Sequence, residues 1–358
     1  MKQASIAKND RIIALDGFRA LAAIGVLYIH CWSSFGNPQI NLFGIDFSKI
    51  LAIGGNGVDL FFVISGFIMY TNYGTKSFSV KKFLIKRWVR LSPAFYVASV
   101  LYILMAYLKN KDFPIVESAF TSIFYLNNIL SKYNSAGLFW TLSLEWQYYL
   151  LFPIFTFFQN LKNFRTAFLL FSGIFIIIPL IVTFFLPSST SLFTDQIIFR
   201  FFEFAFGMLA GRLFMNDQKQ KNINMLLIFP LLFIVYAGRF LISKNILDLF
   251  LTYGSVFKWL GFSIMGLGFA AILYWGLHQK WLSNFFKFTG LAYLGKLSYS
   301  FYLWHGLAII FIAQYFASYP SYPIVQVFST FTTSLLILFP ISFISYHYLE
   351  KPFLRSKK

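Results

Sequence analysis

The chain has 358 residues, of which 58% are hydrophobic, 22% aromatic and only 12% charged, with a mean hydropathy of +0.67. A soluble domain of this length carries about a quarter charged residues, so the composition excludes one and leaves a polytopic membrane protein. The net charge of +18 is gathered on the segments between apolar runs, which excludes a nucleic-acid-binding surface in favour of cytoplasmic loops.

Apolar runs near the length of a bilayer crossing recur along the chain. They predict ten spanning helices, at about 18–36, 50–73, 88–108, 139–158, 166–186, 196–215, 225–242, 257–277, 295–316 and 324–348. The expected fold class is therefore an all-α, polytopic transmembrane bundle, one domain over 1–358. A short cytoplasmic segment (1–12) precedes it and a cytoplasmic tail (350–358) follows. The start "MKQASIAKNDRIIALDG" is polar and basic, and no small-residue cleavage pattern follows the first apolar run, so the first helix is expected to stay attached.

The loops fix an orientation. "KSFSVKKFLIKR", "QNLKNFR", "NDQKQKN", "HQKWLSNFFK" and "EKPFLRSKK" are basic, whereas "LPSSTSLFTD" and "ASYPSYP" contain no Lys or Arg. About twenty of the thirty basic residues fall on the first set of sides, so both termini are expected in the cytoplasm. The long external connection 109–138 contains "AFTSIFYLNNIL", too short to span and expected to lie along the surface or to re-enter.

Ionisable side chains inside lipid are costly and mark functional sites by default. In the first helix Arg19 and His30 are eleven residues apart, which at about 100° per residue places both on one face, about 16 Å apart along the axis. Cys31, the single cysteine, reads as a small buried thiol. In the second helix Asp59 follows three glycines, and reads equally as a polar partner within the bundle or as a helix-start cap.

The third helix opens with "KRWVRLSP", where Arg87 and Arg90 are three residues apart and so neighbours on one face. With Arg19 they make a cytoplasmic set of three guanidiniums suited to phosphate groups. The alternative is that such residues reach toward anionic lipid headgroups, which suits Lys81, Lys82 and Lys86 better. The fourth helix carries Glu145 about six residues from its external start, roughly 9 Å deep. His30 lies at a matching depth, so the two are expected to form a dyad in which the carboxylate orients the imidazole for proton transfer; a satisfied structural pair is the other reading.

Further along, Arg200, Glu203, Arg212 and Arg239 read as intramembrane pairs or interfacial anchors. His278 and His347 fall at cytoplasmic ends. His305 in the ninth helix reads as a structural hydrogen-bonder, because counting from the helix start puts it in the inner half, away from His30. Histidines so scattered suggest no metal site.

These stretches together resemble the acyltransferase-3 family of bacterial integral-membrane O-acyltransferases. "ALDGFRALAAIGVLYIH" is similar to its opening motif, "GVDLFFVISGF" to its second-helix signature, and "KRWVR" contains its Arg-x-x-Arg. "WTLSLEWQYYLLFP" resembles its Ser-x-x-Glu-type segment, and "LGKLSYSFYLWH" and "YLEKPF" its closing motifs. The blocks run in the family's order from Leu15 to Phe353. Two positions depart from it: Trp146 stands where many members carry a second glutamate, and Gly306 where Trp-Pro is frequent. The chain stops soon after its last helix and so resembles the stand-alone members, without an appended extracytoplasmic domain.

The resemblance implies an acyl-CoA co-substrate, usually acetyl-CoA, with no permanently bound cofactor, and a carbohydrate acceptor, often a surface polysaccharide or its lipid-linked precursor. It implies a multi-pass protein of the bacterial inner membrane. Carried over by motif, His30 is the catalytic histidine with Glu145 as its acidic partner. Arg19, Arg87 and Arg90 meet the acyl-CoA. Asp16, Asp59, Trp140, Ser143 and Tyr302 are supporting residues, Ser143 and Tyr302 as candidate oxyanion donors. The competing class is a polytopic transporter or flippase; against it, the chain shows no inverted repeat.

Overall fold

The computed structural model describes residues 2–186, 193–217, 223–243, 254–319 and 321–355. Ten long helices carry the fold: α1 (Lys2–Ser33), α2 (Gly57–Tyr73), α3 (Val80–Lys109), α4 (Trp140–Leu161), α5 (Phe164–Phe185), α6 (Ile197–Asn216), α7 (Ile228–Leu241), α8 (Gly254–Leu277), α9 (Ser298–Ala317) and α10 (Pro323–Ser345). Each falls on one of the ten expected spans, and the protein is an all-α membrane bundle. Short helices link them at Phe47–Leu51, Ile115–Ile123, Lys280–Phe288 and Leu291–Lys296.

Among the described residues seven helical stretches are long and apolar enough to cross a membrane: Ile13–Ser33, Ala52–Tyr73, Val80–Lys109, Phe164–Phe185, Gly254–Leu277, Ser298–Ala317 and Pro323–Leu354. The other three fall short for physical reasons. α4 carries Glu145 and Gln147, and α6 carries Arg200, Glu203 and Arg212. α7 has only 14 residues, about 21 Å against a hydrocarbon core of about 30 Å.

Two helices start earlier than expected: α1 begins at Lys2 rather than near 18, so the polar segment 2–12 continues its helix, and α3 begins before its expected span. α3 starts at Val80 rather than near 88, because the Ser79 hydroxyl accepts from the amide of Lys82 and caps an extra two turns. The 109–138 connection forms a nine-residue helix, Ile115–Ile123, too short to cross, as expected. Between α1 and α2 a two-residue antiparallel ladder pairs Asn41 with Asp46 and Leu42 with Ile45. Its turn places Phe43 and Gly44 at φ 53° and 78°, the left-handed pair a tight hairpin demands.

The chain divides into two compact units. The first comprises Met1–Val58, Trp88–Ala119 and Trp281–Lys358. In it α1 packs on the Leu291–Lys296 helix, on the Ala52–Asn56 turn and on α9 and α10. The approach is closest at Gly295, where an added Cβ would stand 1.7 Å from the Asp16 carbonyl oxygen. α10 ends in a π-helical turn, Tyr346–Glu350, before a last helical turn, Lys351–Arg355.

The second unit comprises Asp59–Arg87 and Phe120–Lys280. Here α2 and α6 meet through Gly66 and Gly207, at each of which a Cβ would lie 2.1 Å from a carbonyl oxygen of the other helix. Small residues let helices touch backbone to backbone, which is how bundles associate where lipid removes the hydrophobic drive between helices. Phenylalanines fill the remaining core: Phe175 stacks on Phe201 with centroids 4.1 Å apart, and Tyr148 on Phe204 at 4.2 Å.

Candidate active site

His30 lies three residues from the end of α1 and is exposed. Its backbone carbonyl accepts from the hydroxyls of Ser33 and Ser34 at 3.0 and 2.8 Å, closing the helix end. Opposite its ring stands His305 of α9, with centroids 5.2 Å apart and planes inclined by 37°. His305 is buried, and its Nδ1 donates to the carbonyl of Tyr302, whose ring lies 5.1 Å away. That bond fixes the neutral tautomer with Nε2 as acceptor.

This pairing corrects the placement of His305 in the inner half. The count from helix ends failed because α1 stops three residues after His30, while α9 runs on for twelve residues past His305. One further residue shapes this corner. The hydroxyl of Tyr102 accepts from the Leu307 amide at 2.9 Å and donates to the Leu303 carbonyl at 3.3 Å. Those two groups are the ends of one rung of the α9 ladder, so Tyr102 is keyed into the helix at the turn that carries His305.

Toward the other end of α1 lies a charged cluster. Arg19 is 3.8 Å from Asp16, and Arg90 and Lys296 also act on that carboxylate. Glu350, buried at the π-turn, accepts a hydrogen bond from Ser300, whose oxygen is 2.8 Å from Ser345 Oγ. Arg90 and Arg19 are near enough to act on Glu350 as well. Two of the three expected guanidiniums thus belong to one cluster of three cations and two carboxylates, in the same unit as His30. Glu350 and Lys296 were visible in the sequence only as parts of closing motifs; the π-turn and the short helix bring them to Arg19.

In the second unit the half-buried Glu145 accepts from Ser65 at 3.1 Å and from the Tyr149 hydroxyl. Arg87 is two turns inside α3, its guanidinium carbon 5.9 Å from the ring centroids of Tyr73, Phe83 and Tyr149. Its Nε is buried with no hydrogen-bond partner. Glu145 and Arg87 therefore share Tyr149.

Asp59 is a polar partner: it lies 3.0 Å from Arg200, which is 3.1 Å from Glu203, all three fully buried. Arg200 also stands over the ring of Phe262 at 3.6 Å and near Trp140 at 5.4 Å. Ser143, expected as an oxyanion donor, receives the amide of Asn127 at 3.1 Å and so holds the 109–138 connection onto α4. Arg212 hydrogen-bonds the Tyr70 hydroxyl at 3.2 Å and covers the Phe164 ring.

Residues 12–347 match the family model described as "Acyltransferase domain". The chain is 26% identical over 367 aligned residues to the O-acetyltransferase OatA of Staphylococcus aureus (strain NCTC 8325 / PS 47), covering 94% of this chain and 56% of that protein. It is also 26% identical to the peptidoglycan O-acetyltransferase OatA of Listeria monocytogenes, covering 85% of this chain and 50% of that protein. The chain thus spans about half the length of these curated relatives. No solved structure matches it. With a match running almost from end to end, through α1, its His30 and the cationic cluster, the chain belongs to the membrane acyltransferase family.

Proposed function

We propose that this protein is a bacterial inner-membrane O-acyltransferase that moves an acyl group, acetyl in the simplest case, from acyl-CoA in the cytoplasm to a hydroxyl of a carbohydrate. The observation that carries the reading is α1 itself. One helix holds an exposed imidazole, backed by a second histidine, and about 16 Å along the same face a cluster rich in guanidinium groups. That is the span needed to anchor a polyanionic nucleotide at one end and present a thioester at the other.

In this reading Arg19 and Arg90 neutralise the CoA phosphates, held in place beforehand by Asp16 and Glu350. The neutral imidazole of His30 takes the proton of the acceptor hydroxyl as its oxygen attacks the thioester carbonyl. The C–S bond breaks, the CoA thiolate takes up the proton, and the products are an ester and CoA-SH. His305 faces His30 through a ring whose tautomer is fixed by Tyr302, and orients it. The name of the Listeria relative, a peptidoglycan O-acetyltransferase, supports a glycan acceptor; a polysaccharide or its lipid-linked precursor is the proposed class.

The test uses protein in nanodiscs with acetyl-CoA and added glycan. The wild type releases CoA and acetylates the glycan; His30→Ala, inserted at normal level, loses about 10²–10⁴-fold in rate. Unchanged transfer by that variant sinks the assignment of His30. A transporter, the second class considered from the sequence, would neither release CoA nor form ester.

A further inference from the structure

The second unit contains a cavity of about 230 Å³ that none of the chemistry above employs, lined by Asn127, Asn128, Ser131, Asn134, Trp140 and Asp195. Its walls come from the external connection before α4, the first residue of α4 and the segment leading into α6. In a bundle this rich in phenylalanine, a hollow lined by three amides, a hydroxyl, a carboxylate and a single large ring is chemically out of place. It is also smaller than the ~300–1,000 Å³ of pockets for drug-sized ligands, and matches one sugar ring.

The polar groups are fixed rather than floppy. Asn128 donates to the Asp195 carbonyl at 2.9 Å, and its side-chain oxygen accepts from Gln147 at 3.2 Å. Gln147 in turn accepts from the Ile197 amide at the start of α6, at 3.0 Å. The Asn128 amide plane is thereby locked, with a spare N–H and a spare lone pair. The side-chain oxygen of Asn134 accepts from the Ala136 amide at 3.2 Å, leaving its NH₂ as donor. Asp195 is exposed. Alternating donors and acceptors around a half-buried indole are what vicinal hydroxyls and the apolar face of a pyranose require. Among the described residues no Lys or Arg lines the cavity, and the Asp195 carboxylate repels anions.

We propose that this cavity is the acceptor subsite and takes one neutral pyranose ring of the carbohydrate, in preference to a uronic acid or a phosphorylated sugar. The inference rests on the acyltransferase reading for its purpose, and the test separates the two. Ligand-detected saturation-transfer NMR on the nanodisc protein is run with N-acetylglucosamine, N,N′-diacetylchitobiose and glucuronic acid as probes. Signal is expected from the two neutral sugars and not from glucuronate. Ser131→Trp, which fills the hollow from an exposed turn, removes it, and Asn134→Ala and Asp195→Ala each weaken it by about tenfold. All three variants are checked for an unchanged thermal midpoint. Absence of neutral-sugar signal in the wild type, a preference for glucuronate, or signal that survives Ser131→Trp each overturns the subsite. Sugar binding that follows the expected pattern in a protein that never transfers acetyl would instead overturn the function and leave the subsite standing.

Discussion

At the scale of single residues, the second unit spends its buried charges in two ways. Asp59, Arg200 and Glu203 form a fully buried set that holds α2 to α6, and removing one partner strands the others. Arg87 is the contrary case: three rings surround it, and its buried Nε has no hydrogen-bond partner. A half-buried guanidinium cushioned by aromatic faces is poised for an anion. Arg87→Ala is expected to weaken acetyl-CoA binding by about 10–100-fold, the weight of one charge-assisted hydrogen bond. Glu145→Gln keeps donor binding and lowers the transfer rate. Titration calorimetry with acetyl-CoA, paired with initial rates, reads both; the opposite pattern would make Glu145 structural and Arg87 a simple filler. Of these roles, the sequence displayed residue types and helix faces. It did not display that Ser143 is committed to Asn127, or that His305 meets His30, since both depend on where a neighbouring helix stops.

At the scale of elements, the helices least suited to lipid are those that carry the most buried polar groups of the second unit. α4 and α6 lack the apolar content of a free-standing span because Glu145, Gln147, Arg200, Glu203 and Arg212 are on them, so they must be sheltered by their neighbours. That shelter depends on glycine contacts. At Gly66 a Cβ would meet the Phe204 carbonyl oxygen at 2.1 Å, closer than any real contact. Gly66→Ala therefore pushes α2 from α6 and strains the Asp59–Arg200 pair, at a cost of about 1–3 kcal/mol. A lowered thermal midpoint in detergent checks this. Gly173, beside which no atom lies within 4 Å of an added Cβ, is the control, and Gly173→Ala leaves the midpoint unmoved. A second element effect is the π-turn Tyr346–Glu350: by adding a residue to the last turn it aims Glu350 at Ser300, and such bulges recur at working sites.

At the scale of the whole molecule, the basic loops predict an N-in, C-in protein with 109–138 outside. Alkaline phosphatase fused after Asn110 is expected to be active, and green fluorescent protein fused after Lys162 to fluoresce; the reverse would invert the bundle. What the sequence settled by itself was the class, the ten helices and the family. Each of those is written locally, in runs of apolar residues, in loop charge and in motif order, and needs no knowledge of which helix touches which. Only the tertiary structure decided the partners of the charged groups: His305 for His30, Asp16 and Glu350 for Arg19 and Arg90, Ser65 and Tyr149 for Glu145. Apart from the local contacts Asp16–Arg19 and Glu145–Tyr149, those pairings join residues tens to hundreds of positions apart, and they turn on where helices end, where a π-turn adds a residue and where glycine lets two backbones meet.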